Sequence, residues 1–179
     1  MLKLDGSQGE GGGQILRTSL ALSMCLGKAF QIHNIRATRA KPGLQPQHLA
    51  AVKAAACLAR AEVTGAELGS QALSFIPHEV KGGEYRFAIG TAGSTTLLFQ
   101  TLLPGLMRAR HASRVILEGG THNPMAPPFD FLKFSFLPIL EKMGCRVGIE
   151  LEKTGFYPAG GGRIVVKLGP GEKLQPLRI

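Results

Sequence analysis

The sequence predicts an α/β protein, a two-layer α+β sandwich built from tandem βαβαββ units. The first observation is an internal repeat with a period of roughly 84 residues. The second is that both copies place the same loop residues at the same points. Each has a glycine-rich turn before its first helix and a proline-containing loop before its second. The third is an alternation between β-branched segments and longer segments with helical apolar periodicity. We therefore predict repeat one over residues 1–83, repeat two over 84–169, and a linker or the start of a further insert over 170–179.

The elements of repeat one follow from local patterns in chain order. A short strand at 2–4 runs into glycines, and apolar residues at helical spacing predict helices at 13–26 and 46–61. Alternating apolar residues bounded by turn signals predict the remaining strands at 29–35, 62–68 and 72–77. The same criteria give repeat two strands at 85–89, 114–118, 146–151 and 163–168, with helices at 94–107 and 129–143.

Two features of these elements carry further expectations. Pro104 and Pro138 fall inside predicted helices, which they should kink or shorten because proline lacks a backbone N–H. Each βαβαββ unit alone would leave a face of its sheet or helices uncovered, so repeated units are expected to bury such faces against each other.

Composition indicates a globular chain with an anionic partner. The 179 residues carry a net charge of +9, which suits a nucleic acid or a nucleotide. No apolar run reaches the roughly 18 residues of a membrane span, and the N-terminus lacks a signal-peptide pattern. We therefore expect no membrane association and a cytoplasmic location. Cys25, Cys57 and Cys145 are scattered and lie in apolar contexts, so buried reduced thiols are expected.

A glycine cluster at positions 6–13, with the sequence GSQGEGGG, leads directly into the first predicted helix. Glycines let backbone N–H groups converge, and the helix N-terminus adds the positive end of its dipole, which together favour phosphate. Glu10 within this cluster would repel a bare phosphate but could hold a bridging divalent cation. Arg17 could point back at the same anion. The pattern lacks the lysine of a P-loop and the third glycine of a dinucleotide motif, so a plain glycine turn with a solvated glutamate remains open.

Three further loops are candidate sites. Residues 36–48, RATRAKPGLQPQH, place cations beside a helix start, which suits phosphate or an RNA end, although a solvated basic loop is the alternative. Residues 90–96 repeat the strand–glycine–helix pattern, with Gln100 just over a turn later, so an anion or nucleotide contact and a simple helix cap are equally open. The proline-rich loop 119–130 could offer a base a flat surface or serve as a stiff connector. The glycine hairpin 155–162 is expected to be structural.

In combination these motifs resemble the RNA 3′-terminal phosphate cyclase family. The resemblance rests on residues 6–17, 36–44, 90–94, 119–121, 126–128 and 155–162, so it covers nearly the whole chain. One small departure is Thr154, where the family usually has a basic residue. The resemblance implies the cyclase catalytic domain, whose repeat scaffold is similar to that of the enolpyruvyl transferases.

The resemblance also implies an ATP-dependent reaction on an RNA 3′-phosphate. A histidine attacks the α-phosphate of ATP, AMP passes to the RNA phosphate, and the vicinal 2′-OH displaces AMP to leave a 2′,3′-cyclic phosphate. Carried over by position, Glu10 would bind Mg²⁺ or Mn²⁺, and Arg17 and Arg39 would contact phosphates. The remaining implied residues are Gln100, Pro127 and Gln47 for the nucleotide, and Arg36, Lys41 and His48 for the RNA end. We expect the helix-start loops of both repeats to face one triphosphate pocket.

The family's nucleophilic histidine lies in a third repeat, beyond a small inserted domain, and this chain ends before both. We therefore expect an incomplete part of the enzyme that is inactive alone and that self-associates or pairs with a C-terminal half. Two other functions remain open, which are a non-catalytic RNA-binding or ribosome-assembly relative and a different enzyme such as an enolpyruvyl transferase. The set Glu10, Arg17, Arg39 and Gln100 favours an ATP-using protein over the first alternative, and the run through Gly43 and the Ala-Pro-Pro loop speak against the second.

Overall fold

The βαβαββ order occurs twice in the computed structural model, which describes residues 1–177. The predicted α/β class is confirmed, because helices accompany two four-stranded mixed sheets. The chain divides into two compact units, each with its own sheet. Unit 1 is Met1–Val80 with Thr101–Gly105, and unit 2 is Lys81–Gln100 with the described residues from Leu106 onward.

Unit 1 contains a sheet in the order β1-β2-β4-β3. Strands β1 and β2 are parallel, whereas β4 pairs antiparallel with both β2 and β3. Because parallel strands end at the same edge, the loops that follow β1 and β2 emerge together. The elements are β1 (Leu2–Asp5), α1 (Gln14–Leu26), β2 (Phe30–His33), α2 (Pro46–Ala59), β3 (Glu62–Thr64) and β4 (Leu73–Ile76).

The core of unit 1 lies between this sheet and the two packed helices α1 and α2. Phe30 and Phe75 are paired across β2 and β4 and stack with their ring centroids 5.8 Å apart. Leu20 of α1 and Leu58 of α2 are fully buried. Small buried alanines on α2 let the two helices approach closely.

Unit 2 repeats the topology, with strand order β5-β6-β8-β7 and a parallel β5–β6 pair. Strand β8 pairs antiparallel with β6 and β7, and a register shift interrupts the β7–β8 ladder between Leu151 and Lys153. The elements are β5 (Glu84–Ala88), α3 (Thr95–Leu106), β6 (Ser113–Gly119), α4 (Phe129–Phe131), a π-helical segment (Leu132–Phe136), α5 (Leu137–Lys142), β7 (Val147–Lys153) and β8 (Gly162–Leu168).

Prolines act differently in the two helical regions. The predicted helix 129–143 is interrupted by the π-helical segment just before Pro138, whose missing N–H removes a bond from the helical ladder. Pro104, in contrast, lies inside α3, which continues to Leu106 and is not cut short there. No helix of the described residues 1–177 is long and apolar enough to span a bilayer.

Several boundaries differ from prediction for backbone reasons. The predicted strand 62–68 ends at Thr64, because Gly65 adopts φ +77° and turns the chain. The predicted strand 29–35 ends at His33, because Asn34 adopts φ +54°. The three cysteines form no disulfide, as expected, but Cys57 is exposed and Cys25 is only half-buried, so the expectation of burial is met in full only by Cys145.

The predicted linker 170–179 contains no helix or strand within residues 170–177, and its last two residues lie outside the described part. Backbone bonds nevertheless attach it to unit 2. The Gly171 N–H donates to the Ala109 carbonyl over 2.7 Å, and the Gln175 N–H donates to the Met143 carbonyl over 2.8 Å.

Gly43 is a sensitive backbone position in unit 1. It adopts φ +73°, and a Cβ there would lie 2.1 Å from the Gly69 carbonyl oxygen. We expect Gly43→Ala to lower the free energy of unfolding by about 3 kcal/mol or more, because a backbone clash adds to left-handed strain. The matched control is Gly27→Ala, with φ +64° and open space around the added methyl, which should cost only about 1–2 kcal/mol. Urea denaturation of both variants tests this, and equal losses would contradict it.

Candidate functional site

The glycine cluster brings the chain from β1 to the start of α1. Gly13 is the N-cap, no side chain caps the helix, and its first turn holds no acidic residue. The first-turn N–H groups are therefore not satisfied by a capping side chain, and they lie at the positive end of the helix dipole. This local geometry suits an anion, as the sequence predicted.

Glu10 and Arg39 form an ion pair beside this helix start. Arg39 Nη2 lies 2.5 Å from Glu10 Oε1 and donates to the Glu10 carbonyl oxygen over 3.1 Å. The side chains are 39% and 77% exposed, so the pair contributes little to stability and can exchange for a ligand. The basic loop packs closely on the glycines, since a Cβ on Gly12 would lie 3.0 Å from Arg39 Nη2.

His48, the third residue of α2, lies directly against the start of α1. A Cβ on Gly13 would lie 2.2 Å from His48 Nε2 and 2.9 Å from Arg17 Nη1, so both side chains fill the space that glycine leaves open. The Gln45 N–H donates to His48 Nδ1 over 3.2 Å, which places the proton of a neutral ring on Nε2. His48 therefore presents an N–H donor towards Gly13.

The protonation state of His48 follows from its surroundings. Burial, and then the positive charges of Arg36 and Arg17, lower its pKa to about 4. The ring is therefore neutral at physiological pH and can donate from Nε2 without adding charge.

Arg17 is held at the start of α1 by a neighbour on the same helix. Its Nη2 donates to Gln14 Oε1 over 3.2 Å. Burial lowers the pKa of Arg17, and the nearby Glu10 charge opposes that shift. A guanidinium nevertheless stays protonated at neutral pH, so Arg17 brings a permanent positive charge into electrostatic reach of Glu10.

Arg36 has a loop-holding role that the sequence did not indicate. It adopts φ +54°, and its Nη1 donates to the Lys41 carbonyl and, over 3.1 Å, to the Gly43 carbonyl. Burial and the Arg39 charge lower its pKa. Lys41 itself is exposed, and Gln47 is half-buried beside His48 at the start of α2.

In unit 2, the loop that follows β6 brings Pro127 to the first turn of α3, the helix that follows β5. Thr96 Oγ1 donates to the Pro127 carbonyl over 2.7 Å. Gln100 lies four residues further along α3, on the same helix face as Thr96. The sequence analysis gave Pro127 and Gln100 roles of their own, whereas Thr96 was only part of the candidate segment 90–96, because a threonine at a helix start commonly serves as a cap.

Contacts within unit 2 hold its other loops in place, and the structural role expected of the glycine hairpin stays a prediction. Asn123 Nδ2 donates to the Ala92 carbonyl over 2.5 Å, and a Cβ on Gly160 would lie 2.8 Å from the Ala92 Cα. His122 Nε2 lies 3.0 Å from Asp130 Oδ2, which joins the two ends of the proline loop. The His122 ring also stacks on Phe156 with a centroid distance of 5.3 Å.

The predicted site residues thus fall into two groups, one in each unit. Seven lie on the two helix-start loops of unit 1, and their predicted roles stay predictions, as does a pocket shared by both repeats. Within residues 1–177 no group of three or more His, Cys, Asp or Glu side chains could hold a metal. Glu10 is the carboxylate of the predicted site that could hold a cation together with ligand oxygens and water, which is how Mg²⁺ commonly binds beside phosphates. The unit 1 residues are Glu10, Arg17, Arg36, Arg39, Lys41, Gln47 and His48, and the unit 2 residues are Gln100 and Pro127.

Comparison with known proteins matches residues 8–178 to the family described as RNA 3′-terminal phosphate cyclase. Curated proteins of that name from Koribacter versatilis and Pseudomonas fluorescens are each 58% identical over 179 residues, and one from Ectopseudomonas mendocina is 56% identical over 178. The matches cover 100%, 100% and 99% of this chain but 50%, 52% and 51% of the relatives, so it spans about half of their length.

Solved structures give weaker similarities. The enolpyruvyl transferase NikO from Streptomyces tendae matches 91% of this chain and 31% of its own length, with a TM-score of 0.45 and 15% identity. An EPSP synthase from Acinetobacter baumannii matches 98% of this chain and 49% of its own length, with a TM-score of 0.41 and 13% identity. Similarity at this level supports no conclusion about function.

The neutral state of buried His48 gives a pH prediction. Its folded pKa of about 4 lies below the ordinary 6.5, so the unfolded chain binds more protons between these values. Stability from this group is therefore complete above pH 6.5 and falls as the pH drops to about 4, by roughly 3 kcal/mol in all. Urea denaturation from pH 7 to pH 4 should show a smaller loss in His48→Gln than in the wild type. Parallel pH curves for the two proteins would contradict the assignment.

Proposed function

We propose that this chain, which belongs to the RNA 3′-terminal phosphate cyclase family, supplies phosphate- and nucleotide-binding residues of an ATP-dependent enzyme. The reaction of that enzyme would convert an RNA 3′-phosphate into a 2′,3′-cyclic phosphate. The observation that carries the proposal is the cluster at the start of α1. There an uncapped helix N-terminus, a weak Glu10–Arg39 ion pair, half-buried Arg17 and neutral His48 meet around glycines. Three kinds of donor suited to phosphate, which are backbone N–H groups, guanidinium groups and a neutral imidazole, are thus present in one place.

In this proposal Arg39 and Arg17 bind phosphate oxygens. The exposed Glu10–Arg39 pair would open when a phosphate arrives, because a charge-assisted bond to phosphate replaces the one to carboxylate. The freed Glu10 carboxylate would then hold Mg²⁺ or Mn²⁺, and a bound cation supplies positive charge that offsets charge developing on the phosphoryl group. Arg17, which is half-buried near the start of α1, adds a fixed positive charge to the same cluster.

The RNA end is assigned to the loop before α2. Lys41 is exposed there and is free to approach a terminal phosphate, while Arg36 keeps the loop in shape through the Lys41 and Gly43 carbonyls. His48 would donate its Nε2–H to a phosphate oxygen, and Gln47 beside it would support the nucleotide. In unit 2, Pro127 would face the adenine and Gln100 would contact ATP.

The chemistry requires three transfers. A histidine nitrogen displaces pyrophosphate from ATP, the RNA 3′-phosphate then takes AMP from that histidine, and the vicinal 2′-oxygen finally displaces AMP with loss of its proton. By the family resemblance, we expect none of the five histidines of this chain to be that nucleophile. We therefore assign the adenylyl acceptor to the half of the relatives' length that this chain does not match.

The role of Glu10 is tested by metal-dependent nucleotide binding. We expect Mg²⁺ to tighten ATP binding by the wild type about tenfold, and Glu10→Gln to abolish this increment because the cation loses its carboxylate ligand. Binding in EDTA should be equal or tighter in the variant, since an anion next to the phosphates is gone. Isothermal titration with and without Mg²⁺ measures both quantities.

The matched control for that experiment is Glu62→Gln. Glu62 is an exposed carboxylate of unit 1 that pairs with His78, 3.2 Å away, and has no proposed role. It should keep the full increment. If Glu10→Gln also keeps it, the metal assignment is wrong.

Cyclisation in trans tests the activity as a whole. This chain would be mixed with the unmatched half of the Koribacter relative, radiolabelled ATP and an oligonucleotide bearing a 3′-phosphate. We expect a 2′,3′-cyclic end only in the mixture, and no covalent AMP on this chain alone. An AMP adduct on the isolated chain would refute the assignment of the acceptor. Equal binding of 3′-phosphate and 3′-hydroxyl RNA, with no ATP binding, would instead favour the non-catalytic RNA-binding alternative.

A further inference from the structure

A one-directional chain of hydroxyl groups runs from the start of α3 to the proline loop in unit 2. Ser94 Oγ and Thr96 Oγ1 lie 2.7 Å apart, and Thr96 Oγ1 lies 2.7 Å from the Pro127 carbonyl oxygen. A carbonyl can only accept, so Thr96 donates to Pro127 and must itself accept from Ser94. The Ser94 oxygen in turn accepts the Leu97 N–H over 3.1 Å as the cap of α3. Every proton of the chain is thereby assigned.

Both hydroxyls are shielded from water. Ser94 is 4% exposed and Thr96 is 1% exposed. A buried hydroxyl that loses its partner leaves a desolvated polar group, so the chain holds its arrangement strongly. The Pro127 carbonyl is therefore tied to the first turn of a helix.

Other bonds anchor the loop at Asn123, whose Nδ2 donates to the Ala92 carbonyl, and at its two ends. The Phe129 N–H donates to the Thr121 carbonyl over 3.2 Å, and His122 pairs with Asp130. Between these ends Met125 is 98% exposed and adopts φ +60°. The bond from Thr96 adds an anchor at Pro127 itself.

We propose that Thr96, supported by Ser94, is a positioning residue that sets the orientation of Pro127 for base recognition. This rests on the proposed function, in which Pro127 faces the adenine. The Pro127 carbonyl lies in the peptide plane that joins Pro127 to Pro128, and a single backbone torsion, ψ of Pro127, relates this plane to the Pro127 ring. Anchoring the carbonyl therefore restricts that torsion and limits the directions in which the ring can face. A surface fixed before binding loses less entropy when a base stacks on it. Thr96 touches no nucleotide in this proposal and acts through Pro127.

The test compares Thr96→Val, which keeps the shape but removes the hydroxyl, with Thr96→Ser, which keeps the hydroxyl. Affinities of the full 179-residue chain are measured by isothermal titration with two probes, MgATP and inorganic tripolyphosphate. We expect Thr96→Val to weaken ATP binding about five- to tenfold while leaving tripolyphosphate binding unchanged, because only the base contact is affected. Thr96→Ser should bind both probes like the wild type.

Hydrogen exchange over residues 121–130 gives a readout that needs no nucleotide. The Phe129 amide should exchange faster in Thr96→Val than in Thr96→Ser, whereas amides of the β5–β6 ladder should not change. Unchanged exchange in Thr96→Val overturns the proposal, and so does faster exchange with undiminished ATP affinity. Equal weakening of ATP and tripolyphosphate indicates general loss of structure and also overturns it.

The adenine role of Pro127 and the positioning role of Thr96 are overturned by different results. A wild-type chain that binds tripolyphosphate but shows no preference for ATP removes the adenine role of Pro127, and with it the role of Thr96 in base recognition. A wild type that prefers ATP, together with a Thr96→Val variant that prefers it equally, leaves the proposed function standing and overturns only the positioning role. Ser94→Ala provides a second variant, which should produce the same selective loss in a smaller degree because Thr96 keeps its bond to Pro127.

Discussion

The close approach of His48 and Arg17 to Gly13 determines the geometry of unit 1. Any residue with a Cβ at position 13 would place that atom 2.2 Å from His48 Nε2, well inside van der Waals contact. Glycine therefore lets the start of α2 lie directly on the start of α1. Because β1 and β2 are parallel and end at the same edge, the two helix-start loops that follow them meet at this contact as well as through the Glu10–Arg39 pair. Phosphate-binding groups on two separate loops are thereby held in one arrangement.

This arrangement gathers more positive than negative charge. Glu10 is the one carboxylate among the predicted site residues, whereas the cations are Arg17, Arg36, Arg39 and Lys41. The local excess is reflected in His48, whose pKa is lowered by two of these charges as well as by burial. Such a group of like charges destabilises the folded chain unless packing offsets the repulsion, and a bound polyanion would relieve it. A histidine that stays neutral there donates a hydrogen bond without adding to the repulsion.

Much of the fold was predictable from the sequence. Apolar periodicity identifies the helices and strands of both repeats, and glycines and prolines identify the turns that connect them. The errors lie where backbone geometry decides, as at Asn34 and Gly65, whose positive φ values end strands early. The candidate site was predictable in composition but not in detail. Arg36 looked like a ligand-binding cation, yet its guanidinium bonds to backbone carbonyls, and no side-chain pattern reveals such partners. Likewise, no pattern in the candidate segment 90–96 reveals that Thr96 binds a carbonyl 31 residues away.

The two units share a topology but differ in what their first helix start can bind. In unit 1, α1 begins at a glycine without a capping side chain, which leaves its N–H groups for an anion. In unit 2, Ser94 caps α3 by accepting the Leu97 N–H, and buried hydroxyls occupy the first turn. A phosphate there would have to displace a satisfied cap, so the anion contact that the sequence left open at residues 90–96 is disfavoured. The same strand–glycine–helix junction thus leaves N–H groups without a capping side chain in one unit, whereas in the other the first turn is capped and Thr96 binds the Pro127 carbonyl. This difference supports the proposed placement of phosphates at the start of α1.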